Sequence, residues 1–109
     1  MNNVQRRLFR AFVEGGGDMT DSSQVDRLIR HVDIQVTLMP PRVKAAMELV
    51  LRANDEVSYA QVAIELSGRE GSRVSTTAIR QRVARGMRAL VPVLVQVKGV
   101  GARLAARAR

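Results

Sequence analysis

An all-α fold, a small helical bundle with a C-terminal helix-turn-helix, is predicted by three features of the sequence. Apolar residues recur at helical spacing in five successive stretches, and clusters of Gly, Pro and capping residues separate those stretches. No segment alternates apolar and polar residues as a half-buried strand would. With 109 residues, 46% of them apolar, the chain has material for one compact domain or a small domain with an appendage.

The first helix is expected over Val4–Val13, with Val4, Leu8, Phe9 and Phe12 on one stripe. Gly15-Gly16-Gly17 ends it, because three glycines leave the backbone too free to stay helical. Asp18, Thr20 and Asp21 offer capping oxygens to a second helix whose stripe is Val25, Leu28, Ile29, Val32 and Val36. Asp21 and Asp26 lie near its positive end. Pro40-Pro41 stops that helix and opens a third, Pro41–Arg52, since a proline at the first helical position forfeits no hydrogen bond. Its inward residues are Val43, Ala46, Met47, Val50 and Leu51, and Asn54-Asp55 is its exit.

Ser58 with Gln61 has the spacing of a capping box and opens a short fourth helix carrying Tyr59, Val62, Ala63 and Leu66 inward. Ser67–Arg73, with Gly68, Gly71 and Ser72, reads as a loop. Ser75 or Thr76 caps a fifth helix, Thr76–Leu90, which turns Ile79, Val83, Gly86 or Met87, and Leu90 to the core. Pro92 and the β-branched residues of Val91–Val97 argue against a continuous helix there, leaving a frayed end, a short strand or a partner-binding segment. Gly99–Arg109 is expected to be loose. The chain thus divides into an N-terminal helical pair (1–36), a helix-turn-helix domain (37–92) and a basic tail (93–109).

Charge is distributed unevenly. The formal net charge is +8, yet residues 1–57 hold eight basic and eight acidic side chains. The remaining residues hold ten basic side chains against Glu65 and Glu70, and no acid follows Glu70. A segment so basic repels itself unless a polyanion neutralises it, and nucleic acid is the commonest such partner.

Other classes of function are disfavoured. Without Cys there is no disulfide, thiolate metal site or cysteine nucleophile, and a single His31 makes no zinc cluster, so neither metal nor cofactor is expected. His31 stands beside Arg30 and near Asp33 at a helical position and is expected at the surface rather than as a general base; no enzyme is predicted. Ser67–Ser72 lacks the Gly-Lys-Ser/Thr ending and preceding strand of a phosphate loop. No apolar run reaches the ~18 residues of a membrane span, and residues 1–20 lack a signal-peptide core. A cytoplasmic protein without membrane contact is expected.

The fifth helix carries Arg80, Gln81, Arg82, Arg85 and Arg88 with no acid among them, unfavourable in isolation and sensible if the exposed face lies in a DNA groove. The helix at Tyr59–Leu66 would brace it against the backbone. The segment Val74–Leu90 resembles the recognition helix of region 4 of the bacterial sigma-70 family, which typically reads V-T-x-E-R-I-R-Q-I-E-x-x-A-L-x-K-L. Ile79, Arg80, Gln81 and Leu90 match, and Ser75, Gly86 and Met87 are similar replacements. Leu38-Met39-Pro40-Pro41-Arg42 is similar to the family's L-P-P-R opening, and Ser58–Ala63 to its first helix. The likeness covers residues 38–92 and rests on the order and spacing of the motifs. The connection over Ser67–Arg73 is longer than the family's three or four residues, and Thr76-Thr77 stand where the family has the Arg-Glu pair that reads the −35 element. No counterpart of the −10-binding and polymerase-clamp regions is found, so a stand-alone, phage-type regulator is expected rather than a complete sigma factor.

The resemblance implies that Thr76, Thr77, Arg80 and Gln81 face base edges or nearby phosphates and that Arg85 and Arg88 hold the backbone, with Arg82 part of the same surface. It also implies a partner in RNA polymerase, whose flap region 4 engages in that family. The expected function is sequence-specific binding of double-stranded DNA in transcription regulation. The alternative is a polymerase- or sigma-binding regulator, antiterminator-like, acting through protein contacts; a third is the DNA-recognition arm of a phage packaging protein. The helices of residues 1–36 either complete the core or pair two chains into a homodimer.

Overall fold

The computed structural model describes the backbone of residues 1–107 and the side chains through Pro92 together with Leu94; the rest of the 93–109 tail's side chains lie outside the described residues. Five helices follow one another: α1 (Asn3–Glu14), α2 (Ser22–Thr37), α3 (Pro41–Arg52), α4 (Tyr59–Glu70) and α5 (Thr76–Arg107). The described residues contain no strand.

Each predicted stripe enters one shared core. Val4, Leu8 and Phe12 of α1, Leu28, Val32 and Val36 of α2, Val43, Ala46, Met47 and Val50 of α3, and Val62, Ala63 and Leu66 of α4 are buried together with Ile79, Val83, Met87 and Leu90 of α5. Phe9 and Leu51 pack only partly buried against this core, and Ile29 is largely exposed. The two N-terminal helices therefore contribute to the same interior as the rest of the chain. α5 is its axis: α1, α3 and α4 pack most extensively on it.

α1 is held by a residue the periodicity does not reveal. Asn2 is fully buried and its side chain accepts from Gln5 N at 2.9 Å, while Gln5 Oε1 accepts from Asn2 N at 2.9 Å, a complete capping box. The Asn2 Nδ2 group donates to the carbonyls of Val50 at 2.8 Å and Ala53 at 2.7 Å, and Gln5 Nε2 donates to that of Leu51 at 2.7 Å. The start of α1 thus satisfies the orphan carbonyls at the end of α3. At the Ser58 position only half of the expected box forms, with Ser58 Oγ accepting from Gln61 N at 3.3 Å. Asp21 caps α2 as expected, accepting from Ser23 N and Gln24 N; the bond from Gln24 N does most to hold its carboxyl below the usual range.

Two expectations are corrected. α4 does not stop at Leu66 but runs through Gly68 to Glu70. The Ser67 hydroxyl donates back to Ala63 O at 2.6 Å, and Arg69 pairs with Glu65 one turn earlier at 2.5 Å, so that Gly68 is carried within a supported turn. The helix ends at Gly71, whose φ of 69° is the left-handed cap that glycine adopts without strain. α5 does not end near Leu90 but passes through Pro92 to Arg107. Pro92 withholds a hydrogen bond from the carbonyl of Arg88, and both residues are exposed, so water can replace it. Beyond the proline, Leu94 is buried, and its carbonyl would lie 3.1 Å from a Cβ on Gly15. Docking on α1 offsets the poor local propensity.

Candidate nucleic-acid interface

The α4–α5 connection sets the aim of the basic face. With α4 extended to Glu70, the connection is Gly71 to Ser75 rather than the longer loop expected. The Ser67 hydroxyl, besides donating to Ala63, accepts from Val74 N at 2.8 Å, and the Val74 side chain is buried. Ser75 caps α5, its Oγ accepting from Ala78 N at 3.0 Å. Thr76, the other capping candidate, is half-buried in the first turn.

Rotation of α5 about its axis is decided by Ile79, Val83, Gly86, Met87 and Leu90. A Cβ at Gly86 would overlap the Met47 thioether, so the glycine lets α3 and α5 approach closely there. Gln81, Arg85 and Arg88 follow at i, i+4 and i+7 on the opposite face and are exposed. Together with Ala78 and Arg82 they line one side of an open groove whose other side is Pro40, Pro41, Arg42 and Val43. The groove continues past Arg42 and Arg82 into a depression bordered by Glu70, Ser72, Arg73, Val74 and Ser75.

Of the seven residues expected to contact DNA, the fold therefore brings Gln81, Arg82, Arg85 and Arg88 into one groove. Thr76, Thr77 and Arg80 do not line it; Thr77 and Arg80 are exposed elsewhere on α5. Arg82 differs from its neighbours. Its side chain is 13% exposed, and Nη1 and Nη2 donate to the two oxygens of Glu70 at 2.7 and 2.9 Å, a bidentate pair joining the last turn of α4 to α5. The hydrogen bond from Arg82 holds the Glu70 carboxyl below its ordinary range, and the same bond raises the Arg82 guanidinium. Among the described residues no carboxylate pairs with Arg80, Arg85 or Arg88.

Arg42 and Arg73 were not among the expected contacts. Arg42 was visible in sequence as part of the Pro-Pro-Arg opening of α3, yet only the packing of α3 on α5 sets it across from Gln81 and Arg85. Arg73, in the connection, carried no signal beyond its charge. His31 is half-buried rather than at the surface, with Nε2 shielded from solvent and unpartnered, and it does not line the groove. Among the described residues no group of His, Cys, Asp or Glu could hold a metal ion, and no helix is long and apolar enough to cross a membrane.

No protein-family model, curated protein or solved structure matches this chain. Exposed guanidiniums on a helix face and opposite it suit several anionic groups at once.

Proposed function

We propose that this protein is a sequence-specific DNA-binding transcription regulator. α4 and α5 act as a helix-turn-helix of the sigma region 4 type, with α5 laid along the major groove of the duplex. The observation that supports this best is the single exposed face of Gln81, Arg85 and Arg88, with Arg42 across the groove and Glu70 the one carboxylate lining it. On this reading Gln81 and Arg85 reach base edges, the one suited to adenine and the other to guanine. Arg42, Arg73, Arg80 and Arg88 hold phosphates, which position the helix without reading sequence.

Gel retardation across a salt series, with a randomised duplex pool, tests the reading. Neutralising four phosphates through Arg42, Arg73, Arg80 and Arg88 gives a log–log salt slope of about −3 to −4. Gln81→Ala or Arg85→Ala should weaken a selected site by roughly 10- to 100-fold, the loss of one bidentate contact. The same changes should affect random duplex much less. Equal losses on selected and random duplex, or no retardation at low salt, would remove the proposal.

A second reading, a regulator that binds RNA polymerase or a sigma factor, is favoured by one observation. Leu38, Ile64 and Ile34 are large apolar residues exposed at 74%, 73% and 58%. Retention of polymerase by the purified chain without DNA, lost in Ile64→Ser while duplex binding persists, is its expected result; retention unaffected by substitutions at all three positions refutes it.

A further inference from the structure

The depression where α4 gives way to α5 gathers charge from three parts of the chain. Arg42 comes from the start of α3, Arg73 from the connection and Arg82 from α5, with Ser72 and Ser75 on the rim. Glu70 is the one anion among these three cations. It faces Arg82 with both oxygens, while its Oε1 is 3.9 Å from Arg42 Nε. One carboxylate leaves the cluster with two positive charges in excess, and Arg42, with its side chain 79% exposed, can turn toward an incoming group. Guanidinium forks match the paired oxygens of a phosphate as well as those of a carboxylate, and serine hydroxyls donate to the oxygens that remain.

We propose that this depression is a phosphate-binding site, in which Arg42 and Arg73 seat one phosphate group and Glu70 is a built-in competitor for Arg82. The inference rests on the DNA reading for its natural occupant, a backbone phosphate of the duplex at the edge of the α5 contact. A free phosphate compound carries the same chemistry. Glu70 has two opposed effects: it holds the Arg82 fork in place, and its charge repels the phosphate seated beside it. Glu70→Gln keeps an oxygen acceptor for Arg82 and removes the repulsion.

The chain, its E70Q variant and its R73A variant are titrated with inorganic phosphate at constant ionic strength, with chloride as control. Arginine Nε–H resonances are followed by NMR, and each variant's helical content is checked first. The Arg42, Arg73 and Arg82 signals should shift together and saturate with phosphate and not with chloride. E70Q should saturate at roughly five- to tenfold lower phosphate, the scale of one like charge about 4 Å away screened nearly as in bulk water. R73A, whose side chain is exposed in the connection, should need several-fold more. Shifts spread evenly over all arginines without saturation, or an E70Q variant no tighter than the parent, overturn the site. A duplex arm separates this from the DNA reading. Phosphate saturation with no response to duplex leaves the site standing and removes DNA as its occupant; duplex retardation without phosphate saturation does the reverse.

Discussion

Replacing Asn2 by Ala should destabilise the protein far more than the loss of an ordinary helix cap. Three effects add. The cap itself contributes about 1 kcal/mol. The Val50 carbonyl, buried where Asn2 Nδ2 now reaches it at 2.8 Å, loses a partner that water cannot easily replace, at about 1–3 kcal/mol. The Ala53 carbonyl is only partly buried, so solvent recovers most of its bond. The total is about 2–4 kcal/mol, a large share of the roughly 5–15 kcal/mol available to a domain of this kind. Asn2→Asp is the informative control, because at an exposed cap Asp and Asn are nearly equivalent. Here Asp would keep the acceptor for Gln5 N and lose the donor to Val50 and Ala53, pointing an anionic oxygen at two carbonyls. Urea unfolding should place both variants at clearly lower midpoints with an unchanged slope. If Asn2→Asp unfolds at the wild-type midpoint, Asn2 is a simple cap and the account of α1 locked to the end of α3 is wrong.

Three further perturbations probe the elements that aim α5. Ser67→Ala leaves the Val74 N–H without its acceptor and should cost about 1–3 kcal/mol, seen also as faster hydrogen exchange at that amide; unchanged exchange would show that the hydroxyl does not secure the connection. Gly86→Ala sets a methyl against the fully buried Met47; overpacking of about 1–3 kcal/mol outweighs the roughly 1 kcal/mol of helix propensity gained. A double-mutant cycle with Met47→Val should then show favourable coupling, and additivity would refute the close approach. The Glu70 carboxyl is held below its ordinary 4.5, so its pairing stabilises the fold above that value and the benefit disappears as pH falls through the lowered value. Wild type should therefore exceed Glu70→Gln in urea midpoint near neutrality, with the gap closing in acid; a gap independent of pH would argue against the ion pair.

Features that depend on neighbouring residues were legible in the sequence. Pro41 at the start of α3, Asp21 and Ser58 as caps, and the buried stripe of α5 all rest on local hydrogen bonding and on the 3.6-residue period. The exposure of Gln81, Arg85 and Arg88 follows from the same period, since once Val83 and Leu90 face inward these residues must face out. The acid-free run after Glu70 was equally plain in the composition.

The tertiary structure decided what joins distant parts of the chain. Asn2 reads as one more polar residue near a terminus until Ala53, 51 positions away, supplies the carbonyl it binds. Arg82 looks like its neighbouring arginines until Glu70 neutralises it across the connection, and Arg42 stands across from α5 only because α3 packs there. Pro92 and its β-branched neighbours argue locally against a continuous helix, yet α5 continues because the buried Leu94 rewards continuation with contacts the local segment does not encode. Backbone propensity is set by residues a few positions apart, whereas the burial of a charge, a carbonyl or a leucine depends on what the rest of the fold brings beside it.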